Sequence, residues 1–358
     1  MSKNLFLLAG LLTCFGMLES SATIWRVNNN SGVAANFTTV QAAHNSASVV
    51  NGDTLHLEAS PNTYGALTCS KRLVILGTGY YLTENPNLQA VTLSSKVSSF
   101  TFNVGSAGSV IMGLDFTTSD VTIFSHDIVI RRCKFSSPSG PTSDYQTGTI
   151  NIYYLSTNSS IAANNIIISE NYAPTININY PSTGVLITNN FISRNAYEGD
   201  ATANAVLQQH ANAVTLVQNN IFRRGRINAN NSNFTNNIMY AGSFAGEGNL
   251  VSNNLANTTQ FGTASGNQAN IDMSTVFVGP GPGISTDGQW ALKVGSPAIG
   301  AGYGSTPSIP IDAGIFSGQT PYALAGVPPI PSVYFFQNQP VGSNTDPIDV
   351  QIKVKSHN

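Results

Sequence analysis

The chain has 358 residues, of which 9% are charged, and its formal net charge is −2. That balance offers no electrostatic basis for binding nucleic acid or an anionic membrane surface. The length admits two or three compact domains or one elongated repeat domain.

The first 22 residues read as a targeting segment. Lys3 supplies the positive start, Leu5 to Leu18 is mostly apolar, and Ser20-Ser21-Ala22 supplies small residues for cleavage between Ala22 and Thr23. Cys14 leaves a lipoprotein as the lesser alternative, because Thr13 stands where such signals take Gly, Ala or Ser. No later stretch is long and apolar enough to span a bilayer, so the expected product is exported and not membrane-spanning. Thr23 to Val27 then reads as a strand, Asn28 to Gly32 as a turn, and Thr39 to Ser46 as a short amphipathic helix. The helix is expected to cover the open first edge of the strands that come after it in the chain. Asn51-Gly52-Asp53 turns into the strand Thr54 to Leu57, and Leu73 to Gly77 is the next.

From there a pattern repeats. An apolar run of strand character ends in a two-residue step and one bulky apolar residue. Asn189-Asn190-Phe191, Asn219-Asn220-Ile221, Asn236-Asn237-Ile238 and Asn253-Asn254-Leu255 are its pure form. Glu170-Asn171-Tyr172, Cys133-Lys134-Phe135 and Leu114-Asp115-Phe116 are its looser form. Taking Phe116 and Phe135 as the closing residues gives a period near 17 to 20, varied only by insertion, which means a solenoid of roughly nine or ten stacked coils. Asn tolerates the left-handed corner between strands and can bond to the Asn above and below it. Asp115 and Lys134 fall on adjacent coils and are expected to form a stacked ion pair, worth at most about 1 kcal/mol if exposed. Arg131 or Arg132 is expected to face Asp115 or Glu170. Cys69 and Cys133 fall about three coils apart, roughly 14 Å at the strand spacing, and are expected to be free, buried thiols. After Gly326, Pro328-Pro329-Ile330-Pro331 reads as a stiff linker. Val333 to Phe336 and Ile348 to Val354 read as a hairpin that packs on the last coil. The expected division is a signal segment 1–22, a solenoid 23–325 and a tail 326–358.

Several of these pieces resemble the secreted right-handed parallel β-helix proteins of bacterial type in the pectin-lyase-like superfold. At the start the likeness lies in Thr39-Val40-Gln41-Ala42-Ala43, Gly52-Asp53-Thr54-Leu55, Tyr64-Gly65 and Leu76-Gly77. Towards the end it lies in Asp287-Gly288, Leu292-Lys293, Ser296 to Gly302 and Asp312-Ala313-Gly314. The resemblance covers most of residues 23 to 325 and implies an all-β, single-stranded right-handed parallel β-helix with a helical cap and a short β tail. It does not carry an activity. Lyases of this superfold have Trp-x-Asp-His and Arg-x-Pro-x-x-Arg sequences, and its pectin hydrolases an Asp-Asp pair and Gly-His-Gly; none of these stands in this chain.

Two coils lengthen just after the bulky residue, at about 136–147 and 194–205, and would emerge on one side about 10 Å apart. They bring Asp144 and Tyr145, and Arg194, Tyr197, Glu198 and Asp200. Arg223, Arg224 and Arg226 lie beneath, with His210 one strand away. Carboxylates, aromatics and arginines on one face suit a polysaccharide or cell-surface glycan. The favoured reading is a secreted or cell-surface, monomeric, non-catalytic protein that binds glycan or serves as a scaffold or adhesin. The alternative is a lyase or glycoside hydrolase acting on an acidic polysaccharide. In it Glu198, Asp200, Arg223, Arg224 and His210 would be the catalytic groups, and Asp144, Tyr145, Arg194, Tyr197 and Arg226 the substrate contacts. No metal-ligand spacing or cofactor motif appears, and none is expected.

Overall fold

The computed structural model describes residues 22–117, 119–135, 148–193, 205–342, 345 and 347–357. Ten short strands, from Ile24–Val27 and Thr54–Leu57 through Ile167–Ser169 to Leu250–Ser252, join in chain order into one parallel sheet. A second parallel sheet takes the alternate strands, from Leu67–Cys69 to Leu255–Ala256. Each coil therefore gives one strand to each sheet, and the molecule is a parallel β-helix. Period-two alternation selects the inside. Leu55, Ile75, Ile111, Ile130, Ile168 and Ile187 occupy one register column of the first sheet, and all are buried. The helix Val40–Asn45 starts at Thr39, whose hydroxyl accepts from the Ala42 amide at 3.1 Å, and sets Val40 and Ala43 into the core.

The asparagine pairs divide into two columns with different tasks. The first residue of each step is left-handed: Arg132 (φ 52°), Glu170 (56°), Asn189 (56°), Asn219 (55°), Asn236 (59°) and Asn253 (55°), with Gly113 (71°) before them. The second residue points inward. The Asn171 amide donates to Asn190 Oδ1 at 2.9 Å, and the chain of bonds continues through Asn220, Asn237 and Asn254 to Asn267. Asn267 is the last rung, and the pair pattern does not announce it, because Gly266 precedes it.

One part of the register differs from the sequence reading. The column that holds Tyr172, Phe191, Ile221, Ile238 and Leu255 continues upward into Lys134, Asp115 and Lys96, not into Phe135 and Phe116. Cys133 and Leu114 thus take the ladder slot, and the Cys133 amide donates to Asn171 Oδ1 at 2.9 Å. Phe116 and Phe135 stack at 4.9 Å one position later, inside the main core. A bulky apolar side chain misplaces the register here because the corners of these coils differ by one residue. Lys134 and Asp115 do pair, at 3.1 Å, but both are buried, so their mutual attraction offsets desolvation rather than adding surface charge stability. Arg131 and Arg132 both bind Glu170, which is fully buried. Cys69 and Cys133 are free and buried.

Tyr172, Phe191, Ile221, Ile238 and Leu255 form a second apolar cluster, outside the helix bore, with Met273, Val276, Trp290, Ala298, Ala313, Ile315 and Tyr322. After the last coil the chain returns along this corner towards the first coils. The left-handed column fastens it. Asn253 donates to Ala301 O, Asn236 Oδ1 accepts from Tyr303 N, Asn189 donates to Ile315 O and Ser317 O, and Arg132 donates to Val327 O. At the end of the return the Tyr80 hydroxyl meets that of Tyr322 at 2.7 Å, and buried Asp287 accepts from Ala325 N at 2.6 Å. Gly326 (φ 57°) permits the closest pass, since a Cβ there would lie 2.3 Å from the Tyr80 ring and 2.6 Å from Arg132 O.

The antiparallel hairpin Ser332–Asn338 with Val350–Lys355 comes last. It does not pack on the last coil. Ala90 N donates to Val333 O, Ser332 Oγ to Leu88 O and Lys355 Nζ to Asn87 O, so the tail sits beside the early coils. The return segment has already carried the chain there.

Candidate functional site

The strand Ile221–Asn228 leaves the corner and enters the second sheet without a break, and it does so through a bulge. Arg224 (φ 64°) and Gly225 (φ 86°) are both left-handed, and the pairing register slips between Phe222 and Arg223 and again across Arg224 and Gly225. The next strand, Ile238–Ala245, repeats the bend, with Gly242 (φ 113°) set so that a Cβ would lie 2.0 Å from Gly225 O. A bulge re-aims the side chains around it. Arg223, Arg224 and Arg226 are thereby held together, each half-buried, on a rigid frame.

The return segment makes the other wall. Arg223, Tyr240, Met273, Phe277, Gln289 and Trp290 line most of a cleft of about 410 Å³. The Trp290 ring stacks on Phe191 at 4.4 Å, and the Arg223 guanidinium lies over it at 5.5 Å. Such a cation–π contact holds the guanidinium in place without cancelling its charge. Tyr240 is 37% exposed and stacks beside Phe277 at 6.3 Å, which leaves ring surface open to a ligand. Among the described residues no carboxylate forms an ion pair with Arg223 or Arg226, and the Arg226 Nε and Trp290 Nε1 hydrogens have no acceptor. Among the described residues, Arg223 brings a positive charge to a cleft with an aromatic wall.

Of the residues singled out in the sequence, Arg223 lines this cleft, and Arg224 and Arg226 follow it on the same bulged strand. His210 does not. It follows the strand Ala205–Gln209, whose first residue pairs with Arg226, so it lies about 16 Å further along at the strand rise. Arg226 pairs with the start of that strand, whereas His210 follows its end. Asp144, Tyr145, Arg194, Tyr197, Glu198 and Asp200 lie outside the described residues. Their flanks, Phe135 and Gly148, and Ser193 and Ala205, lie on the side of the molecule that carries the arginine bulge. Elsewhere on the helix Tyr153 and Tyr154 join Phe124 and Tyr180; Phe124 and Tyr153 stack at 5.3 Å and so cover each other's faces.

Sequence reasoning missed Tyr240, Phe277, Gln289 and Trp290. Trp290 lies some seventy residues from Arg223 in the chain, and only the return of the C-terminal segment joins them. Among the described residues no group of three His, Cys, Asp or Glu side chains could hold a metal. No described helix is long and apolar enough to cross a membrane.

These features define a parallel β-helix with an arginine-and-aromatic cleft at one corner. No family model matches the chain, and no characterised protein matches its sequence. Among solved structures, pectate lyase Pel9A is similar at a TM-score of 0.42 and 14% sequence identity, over 84% of this chain and 97% of that one. At that level the likeness adds nothing about chemistry to what the strand register establishes about the fold.

Proposed function

We propose that this protein is a secreted or cell-surface β-helix that binds a polysaccharide at the arginine corner without cleaving it. The observation that carries this reading is the cleft itself. In its lining Arg223 is fixed over Trp290, and Tyr240 offers a partly open ring. Aromatic surface suits the apolar face of a sugar ring, and a guanidinium without a described counter-ion suits the hydroxyls or carboxylates at its edge. A lyase or glycoside hydrolase would further require Glu198 and Asp200 to converge on the same cleft.

Purified residues 23–358 should bind at least one of a panel of neutral and acidic polysaccharides, and release no new reducing ends from any. R223A/R226A should weaken binding about tenfold or more and reduce its salt dependence, while Y240A should weaken it with the salt dependence unchanged. Reducing-end release that disappears in E198Q would replace binding with catalysis. No binding to any glycan by the folded protein would remove the proposal.

A further inference from the structure

A second cleft lies where the returned tail meets the first coils, far along the chain from the arginine bulge. Its floor is the outer surface of the early strand ends, with Asn28, His56, Glu58 and Thr78; its walls are Val33, Gln89 to Val91, and the tail from Pro328 to Phe336. The volume is about 770 Å³, within the range of sites that enclose a small organic molecule. The tail wall is held to the opposite rim by the Ala90–Val333 and Leu88–Ser332 hydrogen bonds, so the walls are joined and not merely adjacent.

The lining separates by polarity. Val33, Val91, Ile330, Val333 and Phe336 line the walls, and four of these are at least 41% exposed although large and apolar: Val33 43%, Val91 54%, Val333 41% and Phe336 56%. The floor carries two hydrogen-bonding side chains of different charge. Glu58 is clamped by the Arg26 guanidinium and the Asn28 amide, which hold its carboxyl below the usual range, so its oxygens are anionic. Arg26 is not part of the lining. The His56 ring has no hydrogen bond with another described residue, and burial lowers its basicity, so at neutral pH it presents an uncharged ring that can donate or accept.

We propose that this cleft binds an uncharged, hydroxyl-bearing compound with an apolar ring body, its rings between the tail and Val33–Val91 and its hydroxyl on His56. A sugar chain would leave most of its hydroxyls against apolar walls, and a carboxylate would meet Glu58; both are disfavoured.

The test is titration calorimetry of residues 23–358 with 4-phenylphenol at pH 7.5, with biphenyl and biphenyl-4-carboxylate as comparators. The expected result is one site for 4-phenylphenol, with biphenyl about tenfold weaker and the carboxylate weaker still. H56A should bring 4-phenylphenol down to the biphenyl affinity, a loss of about tenfold. F336D should abolish binding, and V91D on the opposite rim should do the same, so the result stands even if F336D disturbs the hairpin. R223A/R226A should change nothing, which keeps this outcome separate from that of glycan binding. Equal affinities for the phenol and biphenyl, preference for the carboxylate, or affinities unchanged in H56A and V91D would each overturn the proposal, as would no binding at all.

Discussion

Asn190, Asn220, Asn237 and Asn254 each donate to the side chain of the next rung and to a main-chain carbonyl of the coil before. For Asn220 these partners are Asn237 Oδ1 at 3.0 Å and Ile187 O at 2.9 Å. Its own Oδ1 accepts from the Asn190 main chain and side chain. Removal of one rung therefore orphans groups on both sides, each costing about 1–3 kcal/mol. N220A should lower unfolding free energy by about 3 kcal/mol or more in urea titration, whereas N219G, at φ 55°, should be nearly neutral because glycine adopts that conformation freely. A larger loss from N219G than from N220A would reverse the division of tasks. Cys133 and Cys69 sit in the same dry interior, where burial pushes their thiols up to about 12 and about 11. Neither should react with a disulfide reagent at pH 8 until the protein unfolds, and rapid labelling of the native state would contradict their placement. The pairs themselves were legible from sequence, because Asn is one of few residues that suits both slots. Which slot each member fills was not, and where Gly113 and Arg132 stand in place of the first Asn, the register slipped by one residue.

At the scale of the element, the two bulged strands turn a solenoid corner into a site. Gly225 and Gly242 stack, and the second cannot accept a side chain without moving the first. G242V should shift the Arg224–Gly225 bend, lower the melting temperature, and weaken glycan binding although position 242 lies outside the lining of the cleft. Unchanged binding in a folded G242V protein would mean that the bulge does not position the arginines. The sequence signalled strands by their alternation, and the Arg223-Arg224-Gly225-Arg226 run by its charge. It did not signal a bulge, since left-handed Arg224 has none of the residue preference that identifies Asn or Gly at such a position.

Across the whole molecule, the stretch that local patterns describe least is the one that completes it. Residues 271–322 contain little regular structure, yet they cover the outer column, make half of the arginine cleft and carry the tail back to the early coils. Their packing partners lie far away in the chain, and neither period two nor any repeat marks them. The sequence signs were the likeness at Asp287-Gly288, Leu292-Lys293, Ser296 to Gly302 and Asp312-Ala313-Gly314. Asp287 fixes the end of this segment, and burial raises its carboxyl above the ordinary carboxylate value. A raised folded-state pKa favours the protonated form. Its stabilising effect is complete at low pH and is lost as pH rises through the ordinary value and then the raised one. D287N keeps an acceptor for Ala325 N and removes the charge, so it should raise stability relative to the parent protein at pH 7 and by much less at pH 3. A larger gain at pH 3 would mean that Asp287 is ionised in the fold.

Amide hydrogen exchange of residues 23–358, with and without a bound polysaccharide, tests glycan binding at the arginine corner most directly. Protection is predicted on Ile221–Asn228, Ile238–Ala245 and residues 273–290, with no loss of polymer length during the measurement. Protection confined to the outer face of the ten-stranded sheet, or shortening of the polymer, would contradict it.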